Sequence, residues 1–142
     1  MEEAYLDTNI FDYAALRNPT YGEACRDILE GIDKEFSATC SFLVPIEILG
    51  SLSRKGIQVA QGTLIGFFSF NLKIVSISQA IITEAAEIPK KTGINGYDAI
   101  HAATMKNEGL TTIITENYSD FEKIRGIRVI RPHDYRAWLA SK

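Results

Sequence analysis

The sequence predicts one α/β domain over residues 1–142, built on a mostly parallel β-sheet with helices on both faces. Short apolar segments rich in β-branched residues alternate along the chain with segments whose apolar residues recur at helical spacing. The clearest strand, residues 111–115 (TTIIT), is typical of a strand covered on both faces. A chain of 142 residues is long enough for one hydrophobic core and too short for two.

The first half of the chain contains two predicted strands and four predicted helices. Pro19 ends the first helix, and Ile28 and Ile32 share one face of the second. Pro45 suits the first turn of the third helix and Gly56 ends it, while the fourth carries an apolar stripe at helical spacing. The predicted strands are 3–6 and 36–40, and the predicted helices are 9–16, 21–32, 45–55 and 59–70.

The second half alternates in the same way. A buried strand is followed by a helix whose end Pro89 frays, and then by a helix that Asn95 caps and Gly109 ends. A short helical turn separates the last two strands. The predicted strands are 72–77, 111–115 and 128–130, and the helical segments are 78–91, 96–108 and 120–124.

Charge is unevenly distributed along the chain. The net charge is −3, but residues 1–50 carry ten acidic and three basic residues, whereas residues 51–142 carry eight acidic and twelve basic residues. Nucleic-acid binding depends on local rather than total charge. The mildly acidic total therefore does not exclude a nucleic-acid partner.

Several functional classes are excluded by composition. Two cysteines, Cys25 and Cys40, make neither a disulfide framework nor a closely spaced zinc site, and we expect both to be buried free thiols. The chain has no phosphate-binding glycine motif and only two histidines. It shows no signal peptide and no membrane-spanning apolar run, so we expect a cytoplasmic protein with no membrane partner.

Four acidic residues stand where predicted strands end or helices begin. Asp7 follows the first strand, Glu47 and Asp98 lie in the first turns of their helices, and Asp120 follows the strand TTIIT. The carboxyl ends of parallel strands meet at one edge of the sheet, where sites in such folds lie. Clustered carboxylates raise one another's pKa unless a cation neutralises them, and Mg²⁺ or Mn²⁺ suits oxygen ligands.

Each acid also has a purely structural interpretation. Acidic side chains near helix N-termini cap the helix and favour its dipole. This interpretation explains each residue singly. It explains less well why four acids gather at one edge of the sheet, with no basic residue adjacent to Asp7, Glu47 or Asp98 in the sequence.

The order of four short segments resembles a known family. LDTN at Asp7, PIEIL at Glu47, GYDAIHAAT at Asp98 and IITENYSDF near Asp120 resemble the four motifs of the PIN domain. The size and helical context are similar to the toxin subunits of VapBC-type toxin–antitoxin pairs. The resemblance implies a PIN-like fold with about five short strands in the order 3-2-1-4-5.

The resemblance also implies which residues form the site. Asp7, Glu47 and Asp98 match three family acids, and both Asn117 and Asp120 are candidates for the fourth position, with Asp120 favoured. These four carboxylates would be the catalytic and metal-binding residues. The supporting polar residues, which would hold the carboxylates in place, are Thr8, Asn9, Thr115 and Asn117.

The activity that the resemblance implies is hydrolysis of RNA phosphodiester bonds by water activated by Mg²⁺ or Mn²⁺. The implied partners are RNA, a cognate antitoxin and a second copy of the chain. RNA approaching an acidic site needs basic residues around it. The candidates are Arg54, Lys55, Lys90 and Lys91, together with the bases of residues 121–142 and, for stacking on nucleobases, Tyr97 and Tyr118.

Two further features have expectations of their own. His101 lies one helical turn after Asp98, and we expect a buried histidine with its hydrogen bonds satisfied rather than a ligand. Phe67, Phe68 and Phe70 cannot all share one helix face, so at least one is expected at the surface, where it favours a homodimer or antitoxin contact.

Two other functions fit this fold class. A catalytically silent RNA-binding or assembly module would have lost Asp7 or Asp98, which this chain retains. A phosphoacceptor regulatory domain needs a lysine directly after a late strand, and no lysine follows TTIIT.

Overall fold

The computed structural model describes residues 1–142 and contains one five-stranded sheet, in which every neighbouring pair of strands is parallel. The strand order is β3-β2-β1-β4-β5, which confirms the predicted fold class and strand order. The strands are β1 (Glu3–Leu6), β2 (Ser37–Ser41), β3 (Lys73–Val75), β4 (Thr112–Ile114) and β5 (Arg128–Ile130).

Helices connect these strands. Two helices follow β1, two follow β2, three follow β3, one follows β4, and a 3₁₀ turn (Pro132–Asp134) with a last helix follows β5. The helices are α1 (Thr8–Ala15), α2 (Gly22–Gly31), α3 (Leu43–Leu52), α4 (Ile57–Ser69), α5 (Gln79–Ala85), α6 (Ile88–Thr92), α7 (Gly96–Asn107), α8 (Tyr118–Phe121) and α9 (Tyr135–Ala140). None of the helices is both long and apolar enough to span a bilayer.

The central strands separate two hydrophobic cores. Leu6 and Ile114 face a core that includes residues of α1–α4 and α9, while Tyr5 and Ile113 face a core that includes residues of α5, α7 and α8. Successive residues of a strand point to opposite faces of the sheet. Layers on both faces therefore fix β1 and β4 at the centre of the molecule.

Helix α3 begins earlier than predicted. It starts at Leu43 rather than Pro45, and Ser41 Oγ accepts a hydrogen bond from Leu43 N at 3.2 Å. Proline fits any position in the first turn because the N–H groups there have no partner within the helix. Glu47 is consequently the fifth residue of α3, and its predicted place in the first turn was wrong.

Two predictions in the third quarter of the chain also need correction. The predicted helix at 78–91 is divided into α5 and α6, because an uninterrupted helix would press the Pro89 ring against the carbonyl of Ala85. The predicted buried strand at 72–77 is a three-residue edge strand that pairs only with β2 and exposes Lys73.

Aromatic residues account for much of the packing around α4 and α9. Phe67 is buried and contacts Phe11 edge to face, whereas Phe68 is 55% exposed, as expected for part of this aromatic group. Tyr135 and Trp138 on α9 are buried against Phe36.

Helix α9 is also held to α2 by charge. Arg136 forms ion pairs with Asp27 on α2 and with Glu35 just beyond it. Two acidic residues on and beside α2 therefore pair with the C-terminal helix. Cys25 and Cys40 are both buried free thiols, as predicted.

Gly31 at the end of α2 provides a test of this packing. A Cβ atom there would overlap the Tyr135 hydroxyl and crowd Glu35 Oε1. We expect Gly31→Ala to lower the free energy of unfolding by about 1–3 kcal/mol, since the Tyr135 ring must move within a packed core. Urea denaturation measures the change.

Gly62→Ala is the matched control, because Gly62 lies inside α4 and its added Cβ would meet no other atom. Alanine favours a helix over glycine by about 1 kcal/mol, so this variant should be slightly more stable. Equal stability changes in the two variants would show that the Tyr135 contact is not close.

Candidate active site

The carboxyl ends of β1 and β4 lie side by side at the centre of the sheet. From β1 the chain proceeds to β2 and β3 on one side and later to β4 and β5 on the other. The crevice beyond such a reversal of strand order is where sites form in open parallel sheets. Asp7 and Thr115 are the first residues after β1 and β4, and both are buried.

Asp7 is fixed through both carboxylate oxygens. It caps α1, with Oδ1 accepting a hydrogen bond from Thr8 N at 2.7 Å. Oδ2 accepts one from Thr115 Oγ1 at 2.7 Å, and Asn9 Nδ2 donates to that same hydroxyl oxygen at 3.2 Å. The capping interpretation is therefore correct for Asp7, but only one of the two oxygens serves as the cap.

Asp98 lies in the first turn of α7 and faces the same crevice. Asn95 caps this helix by accepting a hydrogen bond from Asp98 N at 2.9 Å, and its amide donates back to Asp98 Oδ2 at 3.0 Å. Asn117 Nδ2 donates to Asp98 Oδ2 at 2.8 Å and to Asp120 Oδ2 at 3.1 Å. The structure thus places Asn117 between two carboxylates, with Asp120 as the acid beside it.

Glu47 reaches the crevice from α3. Its Oε1 accepts hydrogen bonds from Thr8 Oγ1 at 2.8 Å and from His101 Nε2 at 2.6 Å. His101 is fully buried, its Nε2 lies 3.6 Å from Asp7 Oδ1, and its Nδ1 lies 2.5 Å from Tyr5 Oη. The expected buried, hydrogen-bonded histidine is confirmed, but it belongs to the acidic cluster.

The electrostatics of the cluster differ from one carboxylate to the next. Burial, followed by the charges of Asp7, Asp120 and Glu47, raises the pKa of Asp98 to about 7 although His101 opposes the shift. Burial is also the largest single influence on the pKa of Glu47 and raises it, but the hydrogen bond and charge of His101 and the hydrogen bond from Thr8 together outweigh burial, so the net shift is downward.

His101 shows the opposite balance. Burial lowers the pKa of its imidazole. The Glu47 hydrogen bond and the neighbouring carboxylates together raise the pKa by a larger amount, so it lies above its ordinary value. When protonated, this imidazole offsets negative charge on Glu47 and Asp7 and also lowers the pKa of Asp98, although burial and the neighbouring acids keep the Asp98 pKa raised.

The crevice is open, has a volume of about 620 Å³ and is lined mainly by polar residues. Asp7, Glu47 and Asp98 all line it, together with Asp12, which the sequence reasoning missed. Burial raises the pKa of Asp12 to about 6, and its Oδ2 accepts a hydrogen bond from Ser51. Asp12 lies one helical turn after Thr8 in the sequence, and this spacing was the signal that could have identified it as a residue of the crevice.

Basic residues are less concentrated here than expected. Arg54 lines the crevice, whereas Lys55, Lys90 and Lys91 are exposed residues outside its lining. Lys90 pairs with Glu87.

The C-terminal bases are also partly paired. Arg131 pairs with Glu116, and Arg136 pairs with Asp27 and Glu35 on and beside α2. These two arginines are therefore held in ion pairs, and the expectation that some C-terminal bases contact RNA stays a prediction.

A divalent cation fits the donor set. Glu47 Oε2 and Asp98 Oδ1 make no hydrogen bond within the protein and are not buried, so both are open to a ligand. Asp7, Glu47 and His101 offer ligand atoms within 4.8 Å of one another. His101 Nε2, however, already donates a hydrogen bond to Glu47, so it is not free to bind a cation. Carboxylate oxygens without a nitrogen ligand suit Mg²⁺ or Mn²⁺.

The raised pKa values generate a prediction for the metal-free protein. The carboxyl group of Asp98 has a pKa of about 7 in the folded protein and 3.8 in the unfolded chain. The folded protein therefore loses stability as the pH rises between these two values. Asp12 acts in the same direction within this range, because its pKa is raised to about 6, whereas the contribution of His101 is lost only above its unfolded pKa of 6.5. In EDTA, we expect the free energy of unfolding to fall by about 2 kcal/mol between pH 5 and pH 7.

Urea titrations at several pH values measure this slope, and Asp98→Asn is the matched control. The amide retains the shape of the carboxyl group without its proton equilibrium, so the variant should show a shallower slope. A variant with the wild-type slope would contradict the assignment of the effect to Asp98.

Both the sequence and the fold are similar to those of known proteins. The family model of the PIN domain matches residues 4–127. No curated protein matches the sequence significantly.

Solved structures with the same fold include toxin–antitoxin proteins. VapBC2 from Rickettsia felis, bound to a DNA fragment from its promoter, has 24% identity and a TM-score of 0.72, covering 91% of this chain and 98% of that one. DNA-bound VapBC from Salmonella typhimurium has 22% identity and a TM-score of 0.70, with coverages of 93% and 99%.

A third similar structure is VapC20 from Mycobacterium tuberculosis, described as a toxin that cleaves the sarcin–ricin loop. It has 14% identity and a TM-score of 0.70, covering 82% of this chain and 92% of that one. Since the family model spans most of the sequence and the sheet has the strand order that the motifs implied, the chain belongs to the PIN domain family.

Proposed function

We propose that this protein is a metal-dependent endoribonuclease that uses Mg²⁺ or Mn²⁺ and acts as the toxin of a toxin–antitoxin pair. The observation that carries the proposal is the convergence of Asp7, Glu47 and Asp98 on one open crevice, with Asp120 joined to Asp98 through Asn117. These acids come from four separate parts of the chain. Their mutual repulsion is a cost to folding that a bound cation removes.

The carboxylates have distinct roles in this proposal. Asp7, Asp98 and Asp120 hold the cation, with Asn117 and Thr115 fixing their orientation through hydrogen bonds. When bound, the cation lowers the pKa of an attacking water and stabilises negative charge on the phosphate. Glu47 directs Oε2 into the crevice, where it orients that water and accepts its proton or completes a second cation position.

Water is the proposed nucleophile because no side chain fits that role. The Cys40 thiol is fully buried and burial raises its pKa, so it is neither accessible nor ionised. The hydroxyls of Thr8 and Thr115 donate hydrogen bonds to Glu47 and Asp7 respectively, and they hold these carboxylates in place.

The substrate and the protein partner rest on the comparisons. The structurally similar VapC20 is described as a toxin that cleaves the sarcin–ricin loop, and this description supports RNA as the substrate. Other relatives are toxin–antitoxin complexes, which supports an antitoxin partner. Ile65 and Phe68 on α4 expose 74% and 55% of their surface, as expected where a protein partner or a second copy binds. Such a toxin acts in the cytoplasm, where its RNA substrate lies.

Replacing Asp98 tests the nuclease directly. We expect Asp98→Asn to lower the rate of RNA cleavage in Mg²⁺ by at least about 100-fold while the far-ultraviolet circular dichroism is unchanged, since the amide keeps its contacts but cannot supply the charge. Asp134→Asn removes an exposed acid outside the crevice and should cleave at the wild-type rate.

Metal dependence is measured in the same assay. EDTA should abolish cleavage by the wild type, and excess Mg²⁺ or Mn²⁺ should restore it. Cleavage that survives both EDTA and Asp98→Asn would refute the proposed site. RNA binding without any cleavage would instead favour a catalytically silent module.

The fourth acidic position is tested through metal affinity. We expect Asp120→Asn to weaken Mn²⁺ binding by at least about tenfold, because it removes a charged ligand. Asn117→Asp loses the amide donor to Asp98 and Asp120 but adds a charged ligand, so it should weaken binding less than Asp120→Asn does. Isothermal titration calorimetry gives both affinities. Unchanged binding in Asp120→Asn would move the fourth position away from Asp120.

A further inference from the structure

His101 connects the acidic crevice to the centre of the sheet. It lies on α7, is fully buried and contacts Glu47 on α3 through Nε2 at 2.6 Å. A carboxylate offers only acceptors, so Nε2 carries the proton and donates it in this hydrogen bond. The other ring nitrogen, Nδ1, lies 2.5 Å from Tyr5 Oη.

The hydrogen bonds continue beyond Tyr5 and return to α3. Tyr5 on β1 is fully buried, contacts the His101 ring edge to face, and donates through Oη to Ser41 Oγ at 3.0 Å. Ser41 Oγ also accepts from Leu43 N at 3.2 Å. Leu43 and Glu47 are one helical turn apart on α3, so the chain of hydrogen bonds begins and ends on the same helix after passing through α7, β1 and β2.

This arrangement leaves the two oxygens of Glu47 in different states. Both donors within the protein, Thr8 Oγ1 and His101 Nε2, converge on Oε1. Oε2 has no hydrogen-bond partner in the protein and is not buried. The carboxylate is thereby held at one oxygen and presents the other to the crevice.

We propose that His101, held in place by Tyr5, is a positioning residue that binds Oε1 of Glu47 and directs Oε2 toward the metal and water of the reaction. This inference rests on the proposed function, because it assigns His101 a role in the same site. His101 itself does not touch the substrate in this scheme and acts only through Glu47.

The geometry separates this role from ordinary core packing. A histidine that merely fills the core is satisfied by any acceptor, including a backbone carbonyl. Here the acceptor is a half-buried carboxylate that lines the crevice, and the opposite nitrogen is fixed by a tyrosine whose own hydroxyl is tied to β2. Removing a hydrogen bond that orients a metal-binding side chain typically changes metal affinity or activity by about 10–100-fold.

The test measures Mn²⁺ affinity by calorimetry and RNA cleavage for His101→Leu, alone and in the Glu47→Gln background. We expect His101→Leu to weaken Mn²⁺ binding about tenfold and to slow cleavage by at least as much. In the Glu47→Gln background the same substitution should change neither quantity by more than about twofold, because the charged oxygen that His101 directs toward the metal is gone.

Three further variants control for effects on folding. His101→Gln places an amide donor near the position of Nε2 and should retain Mn²⁺ affinity within about threefold of the wild type. Tyr5→Phe keeps the ring and removes the hydroxyl. We expect it to weaken Mn²⁺ binding less than His101→Leu does, and this loss should also vanish in the Glu47→Gln background. Thr104→Val removes a buried hydroxyl on α7 that bonds only within the helix, and it should leave binding and cleavage unchanged.

The possible failures are distinguishable. Equal losses from His101→Leu in both backgrounds, unchanged Mn²⁺ affinity or tighter Mn²⁺ binding would each overturn the positioning role while leaving a working nuclease. A wild-type protein that neither binds Mn²⁺ nor cleaves RNA would overturn the proposed function and this inference with it.

Discussion

Repulsion among the carboxylates at the carboxyl edge of the sheet is the constraint around which the crevice is arranged. Asp7 and Asp98 are nearly buried, at 5% and 8% exposure, and Asp120 and Glu47 are close to them. Charges in such surroundings are costly unless they are hydrogen-bonded or paired. Donors held by the protein offset part of that cost: one hydroxyl and one backbone N–H group at Asp7, two amides at Asp98, and an imidazole and a hydroxyl at Glu47.

The topology of the sheet determines which donors are available. Because β1 and β4 are neighbours, Thr115 reaches Asp7, although the two residues are 108 positions apart in the sequence. Because α7 crosses the same edge, His101 reaches Glu47 across 54 positions. The hydrophobic layers on both faces of β1 and β4 make this placement rigid, since neither strand can shift without exposing one of the two cores.

Local sequence signals predicted the positions of the elements and the acids, but not the contacts between distant segments. Asp7, Asp98 and Asp120 stand at strand ends or helix starts, which a single sequence reveals through alternation and capping residues. His101 was identified as buried, yet its hydrogen-bond partners depend on how α3 and α7 pack, which periodicity does not encode. The start of α3 was misplaced because proline is tolerated throughout the first turn, not only at its first position.

The distribution of positive charge has a consequence for how a polyanion would bind. Among the residues that line the crevice, Arg54 is the only lysine or arginine, while four aspartates and glutamates line the same space. Arg131 and Arg136 are occupied by ion pairs, and the helix-α6 lysines lie outside the lining. On the proposed function, a phosphodiester entering the metal-free crevice meets net negative charge, and a bound divalent cation offsets much of that charge. Metal binding and RNA binding are then coupled through the same carboxylates, so that the ion which activates water also admits the substrate.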